Sequence, residues 1–142
     1  MTYGELKRRI KSLGFEETAT MTEYNEIVVD SVDRAMQYIF DSTVKMMIPY
    51  YERELGSTPQ RPEHITTTTP DTHEIDLPED ILELVPLLAA YHIWLDDDQT
   101  KATMYYNNFV QKRELIIEAN LSTAKATIMP TFDNKKYFGI GW

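Results

Sequence analysis

The side chains best suited to chemistry in this 142-residue chain are its three histidines and the aspartates near one of them. His92 and Asp96 are four residues apart, which places them on one face of a helix, and Asp97 and Asp98 follow directly. Imidazole and carboxylate groups bind divalent cations, so this spacing could seed a metal site. However, no second His/Glu pair accompanies it, and consecutive aspartates point in different directions. Capping of the next helix explains the same residues, and we expect no metal here.

The other two histidines, His64 and His73, could face each other across a hairpin, but an unaided pair is a poor metal site. The sequence has no nucleophile elbow, no phosphate-binding glycine loop and no dinucleotide-binding fingerprint. It contains five glycines and no cysteine, which excludes thiolate metal sites and disulfides. We therefore expect neither a catalytic centre nor a cofactor, and a protein that is not an enzyme.

Length, composition and charge narrow the class of protein further. A chain of this length can bury a core of its own, and 42% hydrophobic with 26% charged residues is typical of a folded domain. The 23 acidic and 14 basic residues give a net charge of −9, which argues against a general nucleic-acid binder. Residues 1–13 lack an apolar signal-peptide core, and no run resembles a membrane span. We expect a soluble cytosolic protein without a membrane partner.

Hydrophobic spacing predicts four helical segments, of which the first two differ greatly in length. The first covers about residues 3–13 and stops at Gly14, because glycine suits the left-handed position after a helix. The second begins at Thr20 or Thr22, either of which can cap it, and reaches about Met47. Pro49 either ends it or bends it, since apolar residues continue to Leu55. Its apolar stripe is broad, so we expect it to contact more than one neighbour.

The third and fourth helical segments are predicted to pack on each other. The third begins at Leu77-Pro78, where proline is preorganised for the first turn, and it should kink at Pro86. It is apolar on several faces and should be central to the fold. The short aspartate-rich connection that follows makes the last helix, about residues 99–120, its antiparallel partner.

A threonine-rich stretch between the second and third helices predicts a small β-hairpin over about residues 63–77, turning at Pro70-Asp71. A linker is the alternative interpretation. Two strands are marginal alone, so the hairpin must pack on helices or pair with another chain. The predicted fold class is mainly α, an antiparallel helical bundle with this hairpin and an extended C-terminal arm. Residues 1–121 form the bundle domain and residues 122–142 the arm.

The end of the chain is rich in large apolar side chains that lack helical spacing and are interrupted by proline and glycine. Such residues are depleted in ordinary disordered termini. Their burial would roughly offset the entropy cost of ordering the segment, so further hydrogen bonds must decide whether it becomes ordered. Docking on another chain supplies those bonds and is favoured over packing on its own helices. The predicted partner-binding residues are Ile128, Met129, Phe132, Tyr137, Phe138, Ile140 and Trp142.

Five short sequences occur in a characteristic order along these elements: MTYGEL at residues 1–6, VDSVDRA at 29–35, LPED at 77–80, LLAAY at 87–91 and ATMYYNNF at 102–109. The predicted threonine-rich hairpin precedes the third of them, and the aspartate-rich turn precedes the fifth. This ordered set, which extends from Thr2 to Asn120, resembles the head-to-tail adaptor (connector, or head-completion) proteins of tailed bacteriophages. Each motif alone is weakly specific, because LPED is simply good helix-start chemistry. The order of the set is what carries the resemblance.

The resemblance implies a virion protein that assembles as a ring of about twelve subunits beneath the portal protein. Such a ring extends the DNA channel, carries the tail or stopper protein, and lets genomic DNA pass without sequence-specific binding. C-terminal arms in this family reach onto the portal, and an acidic wall would let DNA slide. It also implies a location in the head–tail neck, after assembly in the host cytoplasm. The residues alone leave an alternative, a small non-enzymatic helical regulatory or scaffolding module that binds one partner protein.

Overall fold

The computed structural model describes residues 1–13 and 21–128, and it describes side chains for residues 1–13 and 25–121. These residues form six α-helices: α1 (Tyr3–Ser12), α2 (Met21–Ile39), α3 (Ile48–Leu55), α4 (Glu79–Leu82), α5 (Leu84–Trp94) and α6 (Gln99–Ile128). A π-helical turn (Phe40–Val44) and a 3-10 turn (Lys45–Met47) join α2 to α3, and α4 leads directly into α5. Four helical segments result, so the mainly α prediction is confirmed; the interpretable part is 72% helical and contains no β-strand.

Helix α5 lies at the centre of the packing, as its apolar sequence predicts. It packs most extensively on α6, then on α2 and α1. The core is a single cluster that draws on all these elements, and its members include Leu6, Ile10, Val32, Met36, Ile39, Leu84, Leu88 and Phe109. Even so, none of the helices in the described ranges is long and apolar enough to cross a membrane.

The β-hairpin predicted for about residues 63–77 is wrong. The segment forms two successive turns instead, closed by the N–H of Thr69 on the carbonyl of Thr66 and the N–H of His73 on the carbonyl of Pro70, both at 3.1 Å. The threonine side chains take part, since the N–H of Thr66 also donates to Oγ1 of Thr69 at 2.9 Å. Threonine hydroxyls that bond to nearby backbone compete with strand pairing, and here the turns prevail.

The backbone of this segment bonds to the start of α1 instead of to a second strand. The N–H groups of Tyr3 and Gly4, in the first turn of α1, donate to the carbonyls of His73 at 2.8 Å and Asp71 at 2.9 Å. The first N–H groups of a helix have no partner within it, so the segment satisfies donors that would otherwise be unpaired. A Cβ added at Gly4 would lie 3.0 Å from Cβ of Asp71, so glycine permits this close approach.

The second helical segment continues beyond Met47, where the sequence predicts its end, through α3 to Leu55. Pro49 lies in the first turn of α3, where its missing N–H removes no helical bond. Arg113 of α6 supports the π-helical turn that makes this possible. Its Nε donates to Oγ1 of the buried Thr43 and its Nη2 to the carbonyl of Ser42, both at 2.8 Å. These bonds explain why an arginine lies among the apolar positions of the last helix.

The third helical segment is interrupted rather than merely bent. Pro78 is the N-cap of α4, not its first residue, and the interruption falls at Glu83, between α4 and α5. Pro86 has no N–H to donate to the carbonyl four residues earlier, at Leu82, and its ring crowds that carbonyl. The break therefore lies one turn before the proline that causes it.

Helix α6 extends to Ile128, past Asn120, where the sequence predicts its end. Residues 122–128, which the sequence assigns to the extended arm, are therefore helical, and the division into a bundle domain and an arm stays a prediction. Ile128, the first predicted partner-binding residue, is the last residue of α6. The other six, from Met129 to Trp142, lie outside the described residues, and their predicted role stays a prediction.

Removing the hydroxyl groups of two buried tyrosines is predicted to change the free energy of unfolding in opposite directions. The hydroxyl of Tyr3, a residue 1% exposed, has no hydrogen-bond partner among the described residues, and burial and then Asp71 raise its pKa to about 12. The hydroxyl of Tyr105 donates to the carbonyl of Leu13. We expect Tyr3→Phe to raise the free energy of unfolding by about 1 kcal/mol and Tyr105→Phe to lower it by about 1 kcal/mol. Urea unfolding of both variants measures this, and equal losses would contradict it.

Candidate functional site

The aspartates after α5 act as a helix cap, as the sequence predicts. Asp98 accepts a hydrogen bond at 3.0 Å from the N–H of Lys101, in the first turn of α6, while Asp96 and Asp97 are exposed. His92 is partly buried on α5, with its ring 5.1 Å from that of Tyr91. Within the described ranges, no three histidine, aspartate or glutamate side chains gather in a way that could hold a metal ion.

The structure places His64 and His73 beside different helices, because the hairpin that would set them opposite each other is not formed. Nδ1 of His64 lies 3.0 Å from a carboxylate oxygen of Asp33 in α2. Asp33 also accepts a hydrogen bond from the N–H of Ile65 at 3.0 Å. The carbonyl of His73 accepts a hydrogen bond from the N–H of Tyr3, at the start of α1. These two histidines therefore position the loop against the helices.

The partial burial of His92 gives a prediction about pH dependence. Burial, reinforced by the positive charge of Arg34 and opposed by Asp30, lowers the pKa of His92 below its ordinary value of 6.5. The unfolded chain therefore takes up this proton first as the pH falls, and stability present above about pH 6.5 is lost below it. We expect the free energy of unfolding to decrease less between about pH 8 and pH 5 in His92→Gln than in the unchanged chain. Urea unfolding at both pH values measures it, and parallel decreases would contradict the assignment.

The candidate functional site is a groove on the surface between α3, the loop that follows it, and the start of α4. Its larger part is a cleft of about 460 Å³ lined by Tyr50, Tyr51, Glu54, Leu55, Leu77, Pro78, Glu79, Asp80 and Asn120. A smaller depression of about 200 Å³ adjoins it along Leu55, Leu77 and Pro78 and is completed by residues 57–60 and Asp76. We call these two together the α3–α4 groove. Leu55 on its edge is 60% exposed and adds apolar surface to the groove.

A polar cluster forms the floor of the α3–α4 groove and joins three helices. The hydroxyl of Tyr51 in α3 donates to the two carboxylate oxygens of Asp80 in α4, at 2.9 and 3.1 Å. Nδ2 of Asn120 in α6 donates to Oδ2 of Asp80 at 2.7 Å. Burial, followed by the charge of Asp80, raises the pKa of Tyr51 far above its ordinary value, so its hydroxyl remains a donor. Hydrogen bonds to a charged group are strong, so the groove is rigid at its floor.

The rim of the α3–α4 groove is acidic. Asp76, Glu79, Asp80 and Glu54 line it, and no lysine or arginine is among the described residues that do so. Arg53 pairs with Glu54 at 3.4 Å, whereas Asp76 and Glu79 have no ion-pair partner in the described part of the chain. An apolar groove with an acidic rim is suited to a peptide that combines large apolar side chains with a positive charge.

The groove is not predicted from the sequence, although one feature of the sequence indicates that this surface is acidic. Residues 62–100 contain ten acidic side chains and no lysine or arginine. The spacing of these acids does not indicate that α3 and Asn120 lie beside them, because that depends on how the helices pack.

The comparisons with known proteins give no assignment. No protein-family model, no curated protein and no solved structure matches this chain. The function proposed below therefore rests on the sequence and on the geometry of the described residues.

Proposed function

We propose that this protein is a head-to-tail adaptor of a tailed bacteriophage. In this role it is a virion structural protein of the head–tail neck that forms a ring of about twelve subunits on the portal protein, extends the DNA channel and carries the tail or stopper protein. The observation that supports it best is the order of the helical segments. A short α1, a long path from α2 to α3, a helix start at residues 77–80 and a paired α5 and α6 follow the order that the resemblance implies, whereas the hairpin that the resemblance also includes is not formed in the described residues. We also propose that the helices form an antiparallel bundle.

The C-terminal segment supports binding to other chains. Residues 129–142 include Met129, Phe132, Tyr137, Phe138, Ile140 and Trp142, an apolar content typical of a segment that docks on a partner. Every core residue that the structure describes precedes residue 121. Portal protein and neighbouring subunits are the partners this proposal assigns to the segment.

The charge of the protein supports passage of DNA rather than its binding. A net charge of −9 and a basic-free stretch over residues 62–100 provide few cations to displace counterions from phosphates. An acidic wall repels the phosphate backbone and leaves DNA free to move through a channel. Genomic DNA is therefore proposed to pass the ring without sequence-specific contacts, and no membrane partner is proposed.

Electron microscopy of the protein mixed with purified portal protein tests the proposal. We expect an added layer on the portal with the rotational symmetry of the portal ring. A free monomer in solution is compatible with this, because such rings can form on the portal alone. An unaltered portal, together with a one-to-one complex with some other protein, would contradict the proposal and favour the regulatory or scaffolding module.

A further inference from the structure

We infer that the α3–α4 groove binds the C-terminal segment, residues 129–142, of a second copy of this chain. The inference deepens the proposed function by naming the acceptor for the segment, and it rests on the docking role that the proposed function gives that segment. It is carried by three features, which are the apolar surface of the groove, its charge, and the direction in which α6 leaves it.

The apolar surface of the groove suits the side chains of the segment. Leu55 is exposed on the edge, and Tyr50, Leu77 and Pro78 provide further apolar lining. A cleft of about 460 Å³ is in the range that binds ligands the size of a few side chains. The segment offers four aromatic side chains, Phe132, Tyr137, Phe138 and Trp142, within a short stretch. Burial of such side chains provides most of the affinity when an extended segment docks.

The charges of groove and segment are opposite. Lys135 and Lys136 directly precede Tyr137-Phe138, and because Asp133 is the only aspartate or glutamate in residues 129–142, the side chains of the segment carry a net charge of +1. The groove carries Asp76 and Glu79 without an ion-pair partner among the described residues. Two copies of a chain with a net charge of −9 repel each other, so a contact between a cationic segment and an acidic groove favours their association.

The course of α6 favours a second copy as the occupant over the chain's own groove. Asn120 lines the groove, and α6 continues from it to Ile128, a further rise of about 12 Å at 1.5 Å per residue. The segment thus begins well beyond its own groove and would have to reverse direction to return there. Fourteen residues in extended form reach about 45 Å, which is enough to cross to a neighbouring molecule.

Photochemical crosslinking in an isotope mixture tests the inference on the full chain. A photoreactive benzoylphenylalanine replaces Phe138 in unlabelled protein, which is mixed with an excess of 15N-labelled protein of unchanged sequence. The mixture is irradiated free in solution and on purified portal protein. We expect crosslinked peptide pairs in which the unlabelled C-terminal segment is joined to labelled peptides from residues 50–60 or 76–80.

A matched pair of leucine variants in the labelled chain makes the test specific. Leu55→Arg places a cation and a longer polar side chain on the edge of the groove, and we expect the yield of mixed-isotope crosslinks to decrease about tenfold. Leu115→Arg is the control, because Leu115 is 67% exposed on α6 and does not line the groove. Both side chains are exposed, so neither variant should impair folding.

Three results would overturn the inference: crosslinks to the groove within unlabelled chains only, mixed crosslinks that map elsewhere, or equal yields from Leu55→Arg and Leu115→Arg. Absence of mixed groove crosslinks both in solution and on portal also counts against it. If the added layer on the portal forms while these crosslinks are absent, the inference fails and the proposed function stands. If copies crosslink through the groove but no layer forms, the proposed function fails instead.

Discussion

We expect deletion of residues 129–142 to weaken the proposed docking on the portal protein strongly and to leave the helical segments folded. The described core lies before residue 121, and α6 ends at Ile128, so a chain that stops there keeps every core contact that the structure describes. It loses six of the seven predicted partner-binding residues. Since apolar anchors dominate the affinity of docked segments, we expect at least about a hundredfold weaker binding to portal.

Co-sedimentation with purified portal measures this loss, and circular dichroism with urea unfolding checks the fold. Leu115→Ala is the control, because it removes an exposed apolar side chain from α6 outside both the core and the groove. Its binding should equal that of the unchanged chain. A folded truncation that binds portal with unchanged affinity would refute the role of the C-terminal segment as the docking element.

The largest expected effect on stability comes from Phe109→Ala. Phe109 is 2% exposed on α6, where α5 packs most extensively, and its ring centroid lies 6.1 Å from that of Tyr106. Truncation to alanine removes buried apolar surface and leaves a cavity, which costs about 3–5 kcal/mol. Because small domains are stable by only about 5–15 kcal/mol, this loss is a large part of the total free energy of unfolding.

Urea unfolding followed by circular dichroism measures the loss in Phe109→Ala. Met104→Ala on the same helix is the matched control, since Met104 is 48% exposed and its removal should change the free energy of unfolding by less than about 0.5 kcal/mol. Similar losses in both variants would mean that the α5–α6 contact does not carry the stability assigned to it.

Much of the helical architecture is predictable from sequence, and the reasons are local. Leu6 and Ile10 recur at helical spacing and are both buried, and Asp98 caps α6 at the predicted position. The apolar composition of residues 84–94 correctly indicates a central helix. In each case the deciding interactions are between residues a few positions apart, which is the range over which hydrophobic periodicity and capping act.

The wrong predictions fall where distant parts of the chain compete for the same backbone groups. The threonine-rich stretch has the composition of a strand, but the unpaired N–H groups at the start of α1 take its carbonyls, and Gly4 allows the close approach. The π-helical turn in the second helical segment likewise bonds to Arg113, which is distant in sequence. Neither contact can be recognised from the spacing of residues that are close together in the sequence.

The sequence by itself therefore determined a mainly α protein, the approximate positions of its helices, its acidic charge and an apolar C-terminal segment with two lysines. The tertiary structure decided that Tyr51, Asp80 and Asn120 meet at the floor of one groove, although 29 and 40 residues separate Asp80 from its two partners. Hydrophobic periodicity and helix capping depend on interactions between residues that are close together in the sequence, so they can be recognised without the tertiary structure. The groove depends instead on how separate helices pack, which brings Glu54 of α3 beside Asp76 and Glu79, with no lysine or arginine among the described residues that line it.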